Sequence, residues 1–226
     1  MGGDVPGYEV ETTTVRIAGA DYRIRALRDR MQYADPDGRA ERAGISSASW
    51  PLFGLVWPAG VALAEAAAAI PIAGRRILEV GCGLGLASLV LARRGADVTA
   101  SDHHPLAEEF LRENAAQNGL PPIPYRDAPW EADDPALGGF DLIVGSDLLY
   151  EPAQPALLAG FLARHAAPAA EVLIADPGRA QLGAFGKLMA AQGYARSEPW
   201  PRFAGVGAPA RRGRILRFVR PASHSV

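Results

Sequence analysis

The chain has one cysteine, Cys82, and four scattered histidines, which leaves no partner for an intramolecular disulfide and too few soft ligands for a zinc site. No metal is expected. It also lacks a long apolar run: the longest candidate, Val61 to Ala73, is interrupted by Glu65 and is too short to span a bilayer. The start, Met-Gly-Gly-Asp-Val-Pro, has neither the basic nor the apolar region of a signal peptide. A cytoplasmic protein without membrane partners is the simplest expectation. An excess of either charge is missing as well, since a net charge of -2 and a pI near 6.1 exert no global pull on nucleic acid or anionic lipid. What is abundant is apolar: 226 residues at 49% hydrophobic suit one α/β domain with a sizeable core. The alanine-rich, lysine-poor composition suggests a high-GC bacterial source.

The most informative stretch is Ile77-Leu78-Glu79-Val80-Gly81-Cys82-Gly83-Leu84-Gly85, an apolar strand that meets three alternate glycines and then a helix. Glycines bend the backbone tightly and let it approach a ligand, and the helix from Leu86 to Arg93 points its positive end at the same spot. A dinucleotide turn would want glycine at 81, 83 and 86, and position 86 is Leu. Glycines 81, 83 and 85 behind Glu79 instead resemble the S-adenosylmethionine (SAM) site of class I methyltransferases. Cys82, inside this turn, reads as a small buried filler. Seventeen residues past Gly85, a second strand ends in Asp102, whose carboxylate suits two ribose hydroxyls, although an Asp there also caps helices. A third strand leads to Asp127 and Trp130, a carboxylate for an adenine amino group and a ring to stack on it or to close the core.

From about residue 58, strands and helices alternate. We read strands at Arg75 to Val80, Asp97 to Ser101, Pro122 to Arg126, Phe140 to Ser146, Glu171 to Asp176, Tyr194 to Trp200 and Arg214 to Arg220. Helices fall near 59–70, 84–94, 104–118, 152–166 and 179–192. This predicts an α/β fold with a doubly wound, Rossmann-like, seven-stranded, mostly parallel sheet. Arg202 to Gly213 is a Gly/Pro/Arg loop, so the last two strands should form an antiparallel C-terminal hairpin. Tyr8 to Val15 and Asp21 to Leu27 predict an N-terminal β-hairpin extension. Residues 29–49, with the turn Asp35-Pro36-Asp37-Gly38, predict a mobile segment over the site. The organisation is thus an arm over residues 1–50 and one domain over 51–226.

Ligands in such sheets lie beyond the carboxyl ends of the strands, so the residues after the fourth strand carry the chemistry. They read Gly145-Ser146-Asp147-Leu148-Leu149-Tyr150-Glu151-Pro152. Ser146 borders the cofactor, and Asp147 and Tyr150 resemble the D-x-x-Y motif of seven-β-strand protein lysine methyltransferases. A carboxylate and a phenol suit an ammonium that must be drawn in, turned and deprotonated before attack. Otherwise Asp147 caps a turn and Tyr150 fills the core. Upstream, Trp57-Pro58-Ala59-Gly60-Val61-Ala62-Leu63 is similar to the W-P-x-G-x-x-L segment of this family, where the Trp lies close to SAM. Downstream, Asp176-Pro177-Gly178-Arg179 resembles the D-P-G-R segment of the lysine methyltransferase acting on the electron-transfer flavoprotein β-subunit.

The resemblance covers roughly residues 50–180 and implies a SAM-dependent N-methyltransferase with Asp147 and Tyr150 as catalytic residues. Trp57, Glu79, Gly81, Gly83, Gly85, Asp102, Asp127, Trp130 and Ser146 would hold SAM. The acceptor is either a lysine of a protein or a small-molecule amine, and a third reading is a SAM-binding protein without catalysis. Arginines 211, 212, 214, 217 and 220 read as a solvated face rather than an RNA surface. The acceptor, the number of methyl groups added and the oligomeric state are not written in these motifs.

Overall fold

The computed structural model describes residues 7–204 and 212–222. The expected opening residues Met1 to Pro6, most of the expected 202–213 loop and Arg211 lie outside the described residues. The chain opens with strands β1 (Val10–Ile17) and β2 (Ala20–Leu27), paired antiparallel with Ile17 opposite Ala20. The turn between them, Ala18-Gly19, has φ of 48° and 82°, the left-handed geometry that matches strand twist in a two-residue hairpin. The first strand therefore runs two residues later than its alternation predicts. Beyond it lie a single helical turn, α1 (Arg39–Arg42), and a 3-10 turn, Trp50–Gly54.

The central sheet has the order β5-β4-β3-β6-β7-β10-β8. Its strands are β3 (Arg76–Val80), β4 (Asp97–Asp102), β5 (Tyr125–Asp127), β6 (Phe140–Ser146), β7 (Ala166–Asp176), β8 (Ala195–Ser197) and β10 (Arg212–Arg220), with a two-residue β9 (Phe203–Ala204) beside β10. The pairs from β5 through β7 are parallel, and β10 runs antiparallel to both β7 and β8. The doubly wound sheet and its terminal hairpin are as expected, with β9 added. Prolines explain the shortened strands. Pro121, Pro122 and Pro124 lack the N–H donors that an earlier start of β5 would need, and Pro199 and Pro201 end β8 early. The helices are α2 (Pro58–Ala69), α3 (Leu86–Arg93), α4 (Ala107–Gln117), α5 (Gln154–His165) and α6 (Leu182–Ala191).

The buried strands read as apolar runs because helices cover both faces of the sheet. Ile77, Val98, Leu142, Val144 and Leu173 pack with α2, α3, α4 and the hairpin. Leu78, Val80, Ile143, Val172 and Ile174 pack with α5 and α6 on the opposite face. Strand order reverses between β3 and β6, which opens a crevice at their carboxyl ends.

The N-terminal hairpin is docked rather than loose, since Ile17, Tyr22, Ile24 and Leu27 join the same core. Its seam with α4 is polar. The buried Asn114 accepts from Arg25 N–H at 2.7 Å and donates to the carbonyls of Arg25 and Leu84, at 3.3 and 3.2 Å. The Arg25 guanidinium pairs with Glu113 at 2.9 Å and lies 4.0 Å from the Phe110 ring centroid. Asn114→Ala leaves buried donors and acceptors without partners, which should lower the free energy of unfolding by about 2–4 kcal/mol. Urea denaturation checks this, and a loss below about 0.5 kcal/mol would show that the seam contributes no stability.

Candidate active site

At the crevice a cleft of about 410 Å³, within the usual range for small ligands, is bordered by the glycine turn, Trp57, Asp102, Trp130, Ser146, Asp147, Tyr150 and Arg179. Among the expected site residues, Glu79, Gly81 and Gly83 also line it. From the 29–49 segment, residues 43–45 and Ser49 also line it. Asp35 fastens that segment by accepting from the N–H groups of Ala40 and Glu41 at 3.0 and 2.9 Å.

Gly81, Gly83 and Gly85 have φ of 58°, 51° and 75°. Protein packing gives a further reason for their identity. A Cβ at Gly81 would stand 2.4 Å from Leu148 Cδ2, one at Gly83 would stand 2.6 Å from the Phe53 carbonyl oxygen, and one at Gly85 would stand 2.3 Å from Leu111 Cδ1. At Gly83 the neighbour is backbone and cannot give way, whereas at Gly81 and Gly85 a leucine end could shift and the left-handed φ carries the demand for glycine. Gly85 also sits behind the cleft wall, serving as the residue before α3.

Asp102 receives Gly83 N–H on Oδ2 at 2.8 Å and His104 N–H on Oδ1 at 2.9 Å. It ties the end of β4 to the glycine turn instead of capping α4. Each oxygen retains a lone pair for a diol, and the carboxylate is about 10% exposed on the cleft. Glu79 directs Oε2 at the first turn of α3, where it accepts from Ser88 N–H at 2.7 Å and from the Ser88 hydroxyl. Burial nevertheless pushes its carboxyl up to about 7, against the opposing pull of those hydrogen bonds.

Asp127 is not brought into the main cleft. It is exposed and borders a neighbouring hollow with Arg39, Arg42 and His103. The cause is local: Ala128 N–H bonds the Asp102 carbonyl at 3.2 Å, which turns residues 128–131 rather than Asp127 toward the cleft. Trp130 does line it, half-buried, and Trp57 is locked by Nε1 donation to the Leu52 carbonyl at 2.8 Å.

His104 and Phe53 are among the wall residues that had no sequence signal. His104 stacks on Phe53 with ring centroids 3.7 Å apart, against Trp50 and Phe110. Burial pushes its imidazole down to about 3, so it is neutral at ordinary pH. On the far side of the cleft, Asp147 has φ of 54° and donates its N–H to the Ala175 carbonyl at 2.8 Å. Tyr150 is partly exposed on the same wall, and burial raises its phenol, which keeps the hydroxyl protonated. Cys82 is buried, with its thiol pushed well up, as a filler should be.

Comparison with known proteins adds three findings. A family model described as lysine methyltransferase matches residues 51–183. The electron transfer flavoprotein beta subunit lysine methyltransferase of Xenopus laevis is 34% identical over 135 residues, covering 58% of this chain and 54% of that protein. The protein N-lysine methyltransferase METTL21A of Danio rerio is 36% identical over 124 residues, covering 50% and 56%. The chain thus spans about half the length of these relatives. Among solved structures, the 16S rRNA N2 G1207 methyltransferase of T. thermophilus, in complex with AdoMet and guanosine, superposes with a TM-score of 0.60 at 18% identity, over 93% of this chain and 50% of that one. At that identity the likeness concerns the fold.

Two expectations follow. Gly83→Ala combines a left-handed φ, which costs a residue with a Cβ about 1–2 kcal/mol, with a clash against backbone. It should lower thermal stability and ligand affinity together, and a variant of unchanged melting temperature would refute the packing argument. For Glu79 the folded carboxyl titrates near 7 and the unfolded one near 4.5. Its contribution is therefore fully present below the unfolded value and is lost as pH rises through the folded one. The stability of the wild type relative to Glu79→Gln should fall by about 3 kcal/mol or less across that window. Denaturant titration on both sides of it checks the sign, and a rise would overturn it.

Proposed function

The chain belongs to the lysine methyltransferase family, and from that premise we propose that it is a SAM-dependent enzyme methylating a lysine side chain of a protein substrate. The observation that carries this reading is the shared cleft, which holds the glycine turn and Asp102 on one wall and Asp147 and Tyr150 on the other. SAM fits the residues present: Asp102 keeps lone pairs for ribose hydroxyls, Trp57 and Trp130 offer flat faces, and Glu79 and Asp102 suit a cationic ligand. When bound, it supplies an electrophilic methyl group.

The remaining work falls to the chain. The Asp147 carboxylate receives and orients the acceptor nitrogen, while the protonated Tyr150 forms a wall along its path. The ammonium gives its proton to solvent water at the open mouth of the cleft, and the lone pair so exposed is the nucleophile. A protein acceptor is favoured over a small amine because the cleft runs out to the exposed Glu131 and Glu151, an acidic rim suited to a basic polypeptide segment. Among the described residues no helix is long and apolar enough to cross a membrane. A cytoplasmic, bacterial setting is our reading from composition.

Incubation with tritiated SAM and a lysate from a strain lacking the protein, followed by size fractionation, should place label in the macromolecular fraction. Label confined to small molecules would favour the amine alternative. With the labelled acceptor, Asp147→Asn should cut turnover by roughly two orders of magnitude while weakening SAM by no more than about tenfold. Wild-type turnover in that variant would remove Asp147 from the mechanism.

A further inference from the structure

The Asp176-Pro177-Gly178-Arg179 segment has no part in the mechanism above, yet its geometry is specific. Asp176, at the end of β7 and fully buried, accepts through Oδ1 from the N–H groups of Gly178 and Arg179, both at 2.7 Å. The turn so formed sends the Arg179 side chain across to β6. There Nε and Nη2 both reach Asp147 Oδ1, at 2.8 and 2.7 Å. The guanidinium carbon also lies 5.9 Å from the Tyr150 ring centroid. The Asp147 side chain is only 9% exposed, and that of Arg179 is 34% exposed on the cleft.

We propose that Arg179 is a positioning residue that holds Asp147 by one oxygen in a charge-neutral pair, leaving Oδ2 as the single point at which the acceptor nitrogen is received. Three observations support this. Both guanidinium contacts fall on the same carboxylate oxygen, which fixes the side chain without closing its other oxygen. Arg179 is the only Arg or Lys among the described residues lining the cleft. The carboxylates that share the cleft are Glu79, Asp102, Glu131 and Glu151, and Asp176 lies behind the pair, so Arg179 alone offsets the Asp147 charge. A bare carboxylate would grip an ammonium and hold its proton in place. A neutral pair receives the amine with less preference for the charged form, which suits a nitrogen that must lose a proton before it attacks.

The inference rests on the methyltransferase reading, and its test uses cofactor binding so that no acceptor is needed. SAM carries a sulfonium charge that its product S-adenosylhomocysteine (SAH) lacks, so the ratio of their affinities reports the charge of the niche. In calorimetric titrations Arg179→Gln should raise the SAM-to-SAH affinity ratio by about threefold to tenfold over wild type. Arg179→Lys should restore the ratio. Asp147→Asn alone, which leaves the guanidinium unbalanced, should lower it by a similar factor, and the double variant should return to the wild-type value. If the Arg179→Gln protein does not fold, the Asp147→Asn and double variants still decide. Ratios within twofold of wild type in every folded variant would overturn the neutral pair. Wild-type protein that binds neither SAM nor SAH would overturn the methyltransferase reading itself.

Discussion

Between β3 and α3 the chain passes in left-handed turns through a tight space, tightest where Gly83 meets the Phe53 carbonyl. A leucine from the β6 loop, a carbonyl from the 3-10 turn and a leucine from α4 each close on one of the three glycines. These contacts come from three separate parts of the chain, so the turn is where the 3-10 turn, α4 and the loop after β6 are held in register. Asp102 completes the junction by taking the Gly83 N–H across from the neighbouring strand. The cleft is therefore shaped by packing before any ligand enters, as preorganised binding requires.

Much of this was legible in the sequence because the signals are local. Alternating apolar strands and helices set the doubly wound sheet, glycine spacing marked the turn, and a strand ending in Asp marked another residue lining the cleft. Asp147 and Tyr150 were readable because a loop at the carboxyl end of a central strand can face only the crevice. The errors came from contacts that local patterns do not encode. Asp127 was placed by strand order, but the short, proline-limited β5 and the bond from Ala128 to the Asp102 carbonyl turn it outward. The glycine spacing could not show that the Phe53 carbonyl, from a distant turn, also leaves no room for a Cβ at Gly83.

Other wall residues illustrate the same limit. His104 is neutral and stacked on Phe53 because a 3-10 turn fifty residues earlier folds beneath it, and nothing near either residue announces the pairing. Arg179 was visible as part of a motif, but its reach from β7 to the end of β6 is a property of sheet order. In a sheet whose sequential strands lie side by side in space, residues 32 apart in the chain become partners at one edge.

The Asn114 amide bonds both to β2 of the hairpin and to the carbonyl of Leu84 within the glycine turn. The two regions therefore share one thermodynamic account through a single buried side chain. A single amide therefore acts as a pin between the N-terminal extension and the wall of the cleft, and the two cannot part without leaving its donors and acceptor bare.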